Sequence, residues 1–111
     1  MMKLCMRRSA SAIGLLVLLS SAAEAQQSPS VQRGATLARA HCASCHSIDK
    51  VSRSPLKIAP PFRSLHLRYP VERLEEPLAE GIVTRHPTMP EFRFDADQVA
   101  DFIAFLKSLE R

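Results

Sequence analysis

The pentapeptide Cys42-Ala43-Ser44-Cys45-His46 constrains this chain more than any other part of it. Two thiols three positions apart, followed at once by a histidine, form C-x-x-C-H, the pattern of covalent haem attachment. The spacing lets both thiols reach the two vinyl groups on one porphyrin edge as thioethers. The histidine is then carried beneath the iron as its proximal ligand. Other chemistries also use close cysteine pairs. A thioredoxin-like redox pair needs a βαβ setting, and no segment of the chain makes a convincing strand. Zinc needs four N or S ligands, so Cys42 and Cys45 would have to recruit two of His41, His46, His66 and His86, whose spacing matches no usual zinc pattern. A disulfide between the two thiols would close a tiny loop and constrain the unfolded chain little. The motif therefore predicts one covalently bound haem c.

The chain around this motif is short, with 111 residues, enough for one domain. Its first segment reads as a leader. Lys3, Arg7 and Arg8 precede an apolar run from Ala10 to Leu19, and Ala23-Glu24-Ala25 has the A-x-A pattern of signal-peptidase cleavage. The run is well short of the ~20 residues that span a bilayer. Residues 1–25 are thus expected to be a signal peptide cleaved after Ala25, with residues 26–111 forming a monohaem domain in the periplasm. Cleavage takes Lys plus Arg from 15 to 12 and Asp plus Glu from 11 to 10, so the formal charge falls from +4 to +2. That mild excess lacks the dense basic stripe of a nucleic-acid binder, and no integral membrane segment is expected after cleavage. Cys5, Met1, Met2 and Met6 leave with the leader. Cys42 and Cys45 are then the last cysteines, and Met89 the last methionine.

A domain of this size buries a modest core and gains from a cofactor that fills its interior. The periodicity predicts an all-α frame with long loops. Val31, Gly34, Leu37, Ala38 and His41 share one helical face leading into the motif, with Ser30 as its expected N-cap. Pro55, Pro60 and Pro61 mark an irregular stretch from Ile48 to Tyr69, with a turn or short helix near Arg63–Tyr69. Val71 to Glu80 is helical, with Leu74 and Leu78 paired and Gly81 at C′. Pro77 should bend that helix or restart it, because a mid-helix proline costs ~3 kcal/mol. A loop from Thr84 to Phe94 follows, pinned by Pro87 and Pro90. The last helix begins with Asp95 and Gln98 as a capping box and Phe94 and Val99 as a hydrophobic staple. Its apolar stripe is Val99, Phe102, Ile103 and Leu106, extended by Phe105 and Leu109.

With His46 on one side of the iron, the second axial position falls to Met89, His86, His66, His41 or nothing. His41 adjoins Cys42 and cannot reach the opposite face. Most solitary methionines are core filler. Met89, however, lies in a proline-stiffened loop between His86-Pro87-Thr88 and Pro90-Glu91, a setting that suits a soft sulfur ligand.

Taken together, Gly34 eight positions before Cys42, the C-x-x-C-H motif, Ala59-Pro60-Pro61-Phe62, Thr88-Met89-Pro90-Glu91-Phe92 and Phe102-Ile103-Ala104-Phe105-Leu106-Lys107 resemble a class I c-type cytochrome over nearly all of the mature chain. The resemblance implies the cytochrome c fold, in which N- and C-terminal helices cross at near right angles around the haem. Gly34 would permit the close approach, opposite Phe102 and Phe105. It also implies that a proline carbonyl, at Pro60 and less securely at Pro61, accepts the Nδ1–H of the proximal histidine. Two departures bear on fine packing. Ala38 stands where many relatives have an aromatic residue, and Pro77 interrupts the third-helix region.

A six-coordinate His46/Met89 iron has no open site for substrate, and methionine ligation raises its reduction potential. The expected function is one-electron transfer with redox partner proteins rather than catalysis. The alternative is a gas-binding or sensing haem protein whose sixth ligand is labile or absent. Arg39, Arg63, Arg68, Arg85 and Arg93 form either a steering face for an acidic partner or ordinary solvated cations, some of them beside haem propionates. Tyr69 is a further candidate for a propionate contact.

Overall fold

A computed structural model describes residues 26–84 and 86–111; residues 1–25, where the signal peptide is expected, and Arg85 lie outside the described residues. Among the described residues three α-helices carry the fold: α1 (Pro29–His41), α2 (Glu75–Glu80) and α3 (Ala96–Ser108). Two 3₁₀ segments, Phe62–Leu67 and Val71–Leu74, lie between α1 and α2. Among the described residues the only extended pairing is an isolated antiparallel bridge between Ile82 and Phe92. The chain is all-α, as its periodicity predicts.

Helix α1 begins earlier than the periodicity suggests. Ser28, not Ser30, is the N-cap, accepting the Val31 N–H at 3.3 Å, and Pro29 follows in the first turn. Proline favours that position because its missing N–H would have no partner there and its φ is already helical. Ser30 has another task. Its hydroxyl donates to Asp101 Oδ1 on α3 at 2.6 Å, beside a forked pair of bonds from Arg33 Nε and Nη2 to Asp101 at 2.7 and 3.0 Å. The Arg33 guanidinium, and after it the Ser30 hydroxyl, hold the Asp101 carboxyl below the usual carboxylate range.

These polar contacts flank the closest approach of α1 to α3. A Cβ added at Gly34 would fall against the Asp101 carbonyl oxygen and lie 2.6 Å from Phe105 Cβ. Only hydrogen fits there. The nearest partners are therefore Asp101 and Phe105; the expected contact with Phe105 is present, whereas the Asp101 backbone takes the place assigned to Phe102. Ala38, one turn on from Gly34, is completely buried.

Helix α3 forms as its sequence dictates. Asp95 Oδ1 accepts the Gln98 N–H at 2.8 Å, and Gln98 Oε1 accepts the Asp95 N–H at 3.1 Å. Each satisfies an amide that the first turn would otherwise leave open. Phe94, Val99, Phe102, Ile103, Phe105, Leu106 and Leu109 are all buried and form one core with Ala38, Phe62, Leu65, Val71 and Leu78.

The proline at 77 falls where the helix restarts, one of the two outcomes expected of it. The chain runs as a 3₁₀ turn through Leu74 and becomes α-helical at Glu75, so Pro77 is the third residue of α2. Amides in a first turn have no intrahelical acceptor, and the missing N–H costs nothing there. Gly81 ends α2 with φ +112°, as its place in the sequence predicts.

Candidate haem site

The C-terminal end of α1 winds directly into the cysteine motif. The amides of Cys42 and Ala43 both donate to the Ala38 carbonyl, at 2.9 and 3.0 Å. The Cys45 and His46 amides donate to the Cys42 carbonyl at 3.2 and 2.9 Å. This tight double turn brings Cys42, Cys45 and His46 to the wall of one cavity, about 360 Å³ in volume and lined mainly by apolar side chains. Both thiols are free, so no disulfide links them. Burial pushes the Cys42 thiol up to about 12. A thioether at that position is as neutral as the thiol it replaces, so attachment would bury no charge. Among the described residues no group of three or more His, Cys, Asp and Glu side chains is placed to hold a metal ion.

The imidazole of His46 is fixed from two directions. Its Nδ1 lies 2.8 Å from the carbonyl oxygen of Pro60. A carbonyl only accepts, so Nδ1 carries a proton, and in the neutral ring the lone pair is then on Nε2. The ring packs on Phe62 at a centroid distance of 4.8 Å, and Phe62 meets Phe102 edge-on at 5.9 Å. The chain of contacts runs from the motif through two aromatic rings into α3. Phe62 is the partner that reading the sequence missed; its place two residues after Pro60 was the available signal.

Pro60 owes its position to a compact loop. The Leu56 amide donates to the Cys45 carbonyl at 3.1 Å, and the Phe62 amide to the Ser47 carbonyl at 3.0 Å. Within the loop, Asp49 accepts bonds from the Ser52 side chain and from the amides of Ser52 and Val51, which lower its carboxyl to about 2. Arg63 Nη1 donates to Ser47 Oγ, the Ser52 carbonyl and the Asp49 carbonyl at 3.1, 2.7 and 3.4 Å. Arg63 is thus engaged in holding its own loop.

Met89 is half-buried and lines the same cavity as His46, as do His86, Thr88 and Pro90. Its amide donates to the His86 carbonyl at 3.2 Å. His66 is not on the cavity wall, and its Nδ1 is buried without a hydrogen-bond partner. His41 stands at the cavity edge, packed against Phe92 and Phe94. Arg68 and Tyr69 also border the cavity, whereas Arg39 bonds Thr36 and Arg93 bonds the Glu80 carbonyl.

The residues present suit a haem. The cavity is lined mainly by apolar side chains, its two thiols are unpaired, and the Pro60 bond occupies Nδ1 of His46 and leaves Nε2 over. The cavity's roughly 360 Å³ and walls that include Phe62, Leu65, Leu78, Phe94 and Phe102 suit a large apolar group.

An all-α frame wrapped around an apolar cavity, with C-x-x-C-H on its wall, defines a small haem protein of the cytochrome type. The family model described as cytochrome c matches residues 31–110, and the chain belongs to that family. Members carry covalently bound haem c, and Cys42 and Cys45 have the spacing of its attachment motif. Among curated proteins the chain is similar to cytochrome c-552 of Bradyrhizobium diazoefficiens (strain USDA 110), 29% identical over 97 residues that cover 87% of this chain and 91% of the relative. No solved structure matches it significantly. The family is one of haem electron carriers working with redox partners. No helix among the described residues is long and apolar enough to cross a membrane.

Proposed function

We propose that this protein is an exported one-electron carrier whose single haem is attached through Cys42 and Cys45 and ligated axially by His46 Nε2 and Met89 Sδ. The observation that carries this reading is the 2.8 Å bond from His46 Nδ1–H to the Pro60 carbonyl. It fixes the tautomer, aims the free Nε2 lone pair and raises the basicity of the ring, as outer-shell partners of ligating histidines do. The bound haem supplies reversible one-electron chemistry at its iron. The chain's part is to hold both axial donors in place through oxidation and reduction, so that little rearranges as the electron moves. The apolar wall formed by Phe62, Phe94 and Phe102 keeps water from the ligands. Support for Met89 over His86 rests on its loop setting, its partial burial on the cavity wall and the family's character.

Cleavage of residues 1–25 and delivery to the periplasm belong to the same reading, supported by the positive, apolar and small-residue order of that segment. A mass spectrum of the exported protein tests attachment and cleavage together: the expected mass is residues 26–111 plus one haem. Substitution Met89→Ala tests the sixth ligand. The far-red charge-transfer band that reports iron–thioether bonding in the oxidised protein should vanish, the reduced protein should bind CO, and the potential should fall. A wild-type protein that lacks the band and binds CO readily would instead support the gas-binding alternative.

A further inference from the structure

We infer that His41 is a positioning residue that clamps the base of the Met89 loop to the haem-attachment end of α1. The inference rests on the reading of Met89 as the axial ligand. His41 is the last residue of α1 and precedes Cys42 directly. Its ring meets Phe92 at a centroid distance of 5.6 Å and an interplanar angle of 64°, and Phe94 at 5.6 Å and 58°. Both are tilted, edge-type arrangements that aromatic rings favour over face-to-face stacking.

Phe92 and Phe94 are where the loop closes. The Ile82 amide donates to the Phe92 carbonyl at 2.9 Å, and the Phe94 amide to the Leu78 carbonyl at 2.8 Å. Arg93 between them donates to the Glu80 carbonyl at 2.9 Å. Beyond this base the loop has little to hold it. Val83, His86, Pro87, Thr88, Pro90 and Glu91 are exposed, and among the described residues the hydrogen bonds within it are those of Thr84 with His86 and of Met89 with His86. A segment held at its base and exposed along its length opens as a unit when the base loosens. Met89 lies three residues from Phe92, so the clamp governs how often the sulfur leaves its place. His41 joins that clamp to the helix end on which the haem is fixed. Attachment site and loop base thereby move as one body.

The test uses the oxidised holoprotein and exogenous imidazole, which competes with Met89 for the iron. Its apparent affinity scales with the fraction of molecules whose loop is open. Substitution His41→Ala should raise that affinity about tenfold. His41→Phe, which keeps a ring at the contact, should remain within about twofold of wild type. His41→Leu, with bulk but no ring, provides a second reading should the alanine variant fail to mature. Imidazole affinities within about twofold of wild type for both His41→Ala and His41→Leu would overturn the inference. Met89→Ala run in parallel separates the two ideas: if it binds imidazole no more tightly than wild type, the assignment of Met89 as ligand is what fails.

Discussion

The carbonyl oxygen of Pro60 and Nδ1 of His46 lie 2.8 Å apart, a contact made across fourteen residues of sequence. Nothing local creates it. The turn at Cys42–His46 sets the ring, while the loop closed by Leu56 with Cys45 and by Phe62 with Ser47 sets the carbonyl. Proline stiffens the acceptor by fixing its own φ.

That relationship predicts the effect of loosening it. Pro60→Gly keeps the carbonyl but frees the backbone that aims it, so the bond weakens and the imidazole becomes a poorer donor to ferric iron. The reduction potential should rise by up to about 60 mV, the one-electron equivalent of a tenfold change in equilibrium. Voltammetry of wild type and variant side by side gives the answer; an unchanged or lower potential contradicts it.

Gly34→Ala should destabilise the protein although alanine favours helix by ~1 kcal/mol over glycine. The new methyl collides with the Asp101 carbonyl and Phe105 Cβ. Neither can yield without α3 moving, and overpacking of this kind costs ~1–3 kcal/mol. For a domain of this size the denaturation midpoint should fall by about 5–15 °C in a thermal melt. A midpoint equal to or above wild type would show that the helices separate at little cost.

Acid should weaken the same helix pair. The Asp101 carboxyl is held below its ordinary value by Arg33 and Ser30, so its contribution is complete above the unfolded carboxylate pKa of ~3.9. It is lost as pH falls through the lower folded value, because the unfolded chain then binds the proton more readily than the folded one. Glu72, lowered by its bond from Lys107 at 2.5 Å, and Asp49, at about 2, act in the same direction. In Asp101→Asn the stability gap to wild type should be widest above pH ~4 and narrow on acidification. Melts across that range measure it; a gap that stays constant or widens in acid would assign the effect to packing.

Arg63 was a candidate for steering partners, and the structure gives it another task. With its guanidinium bonded to Ser47, Asp49 and Ser52, Arg63→Ala should cost ~1.5–3 kcal/mol, the range for hydrogen bonds to a charged group. Amide exchange should accelerate across residues 47–56. The three acceptors are neutral, so the guanidinium keeps its charge while its geometry is tied to the loop. Normal exchange protection in the variant would contradict the structural role.

How much of this was legible beforehand varies by element, for physical reasons. Helix α3 could be read in full because each signal was local: Asp95 and Gln98 cap each other three residues apart, and its apolar stripe repeats at the helical period. Gly81 ended α2 as predicted, since few residues other than glycine adopt φ +112°. The start of α1 was misread because Ser28 and Ser30 are equally good caps by composition. Only the proximity of Asp101, 71 residues away, diverts Ser30 to α3. Pro77 was open between a bend and a restart because its place in the turn depends on where the helix begins, and the 3₁₀ segment before it moves that start to Glu75. At the site, the attachment motif was plain from its spacing, whereas the ring of Phe62 on His46 and those of Phe92 and Phe94 on His41 arise from segments that meet only after folding.

The sequence by itself determined the chemistry and the elements. Two thiols and a histidine at fixed spacing, one methionine beyond residue 25, and caps and stripes at helical period act within a few residues and are written there. The tertiary structure decided what those groups face. It set the tautomer of His46 through Pro60, the burial that raises the Cys42 thiol, the occupation of Arg63 and the clamp of His41 on its two phenylalanines. Each depends on distances between residues far apart in the chain, fixed by how α1 and α3 meet at Gly34 and by the loops that close around the cavity between them.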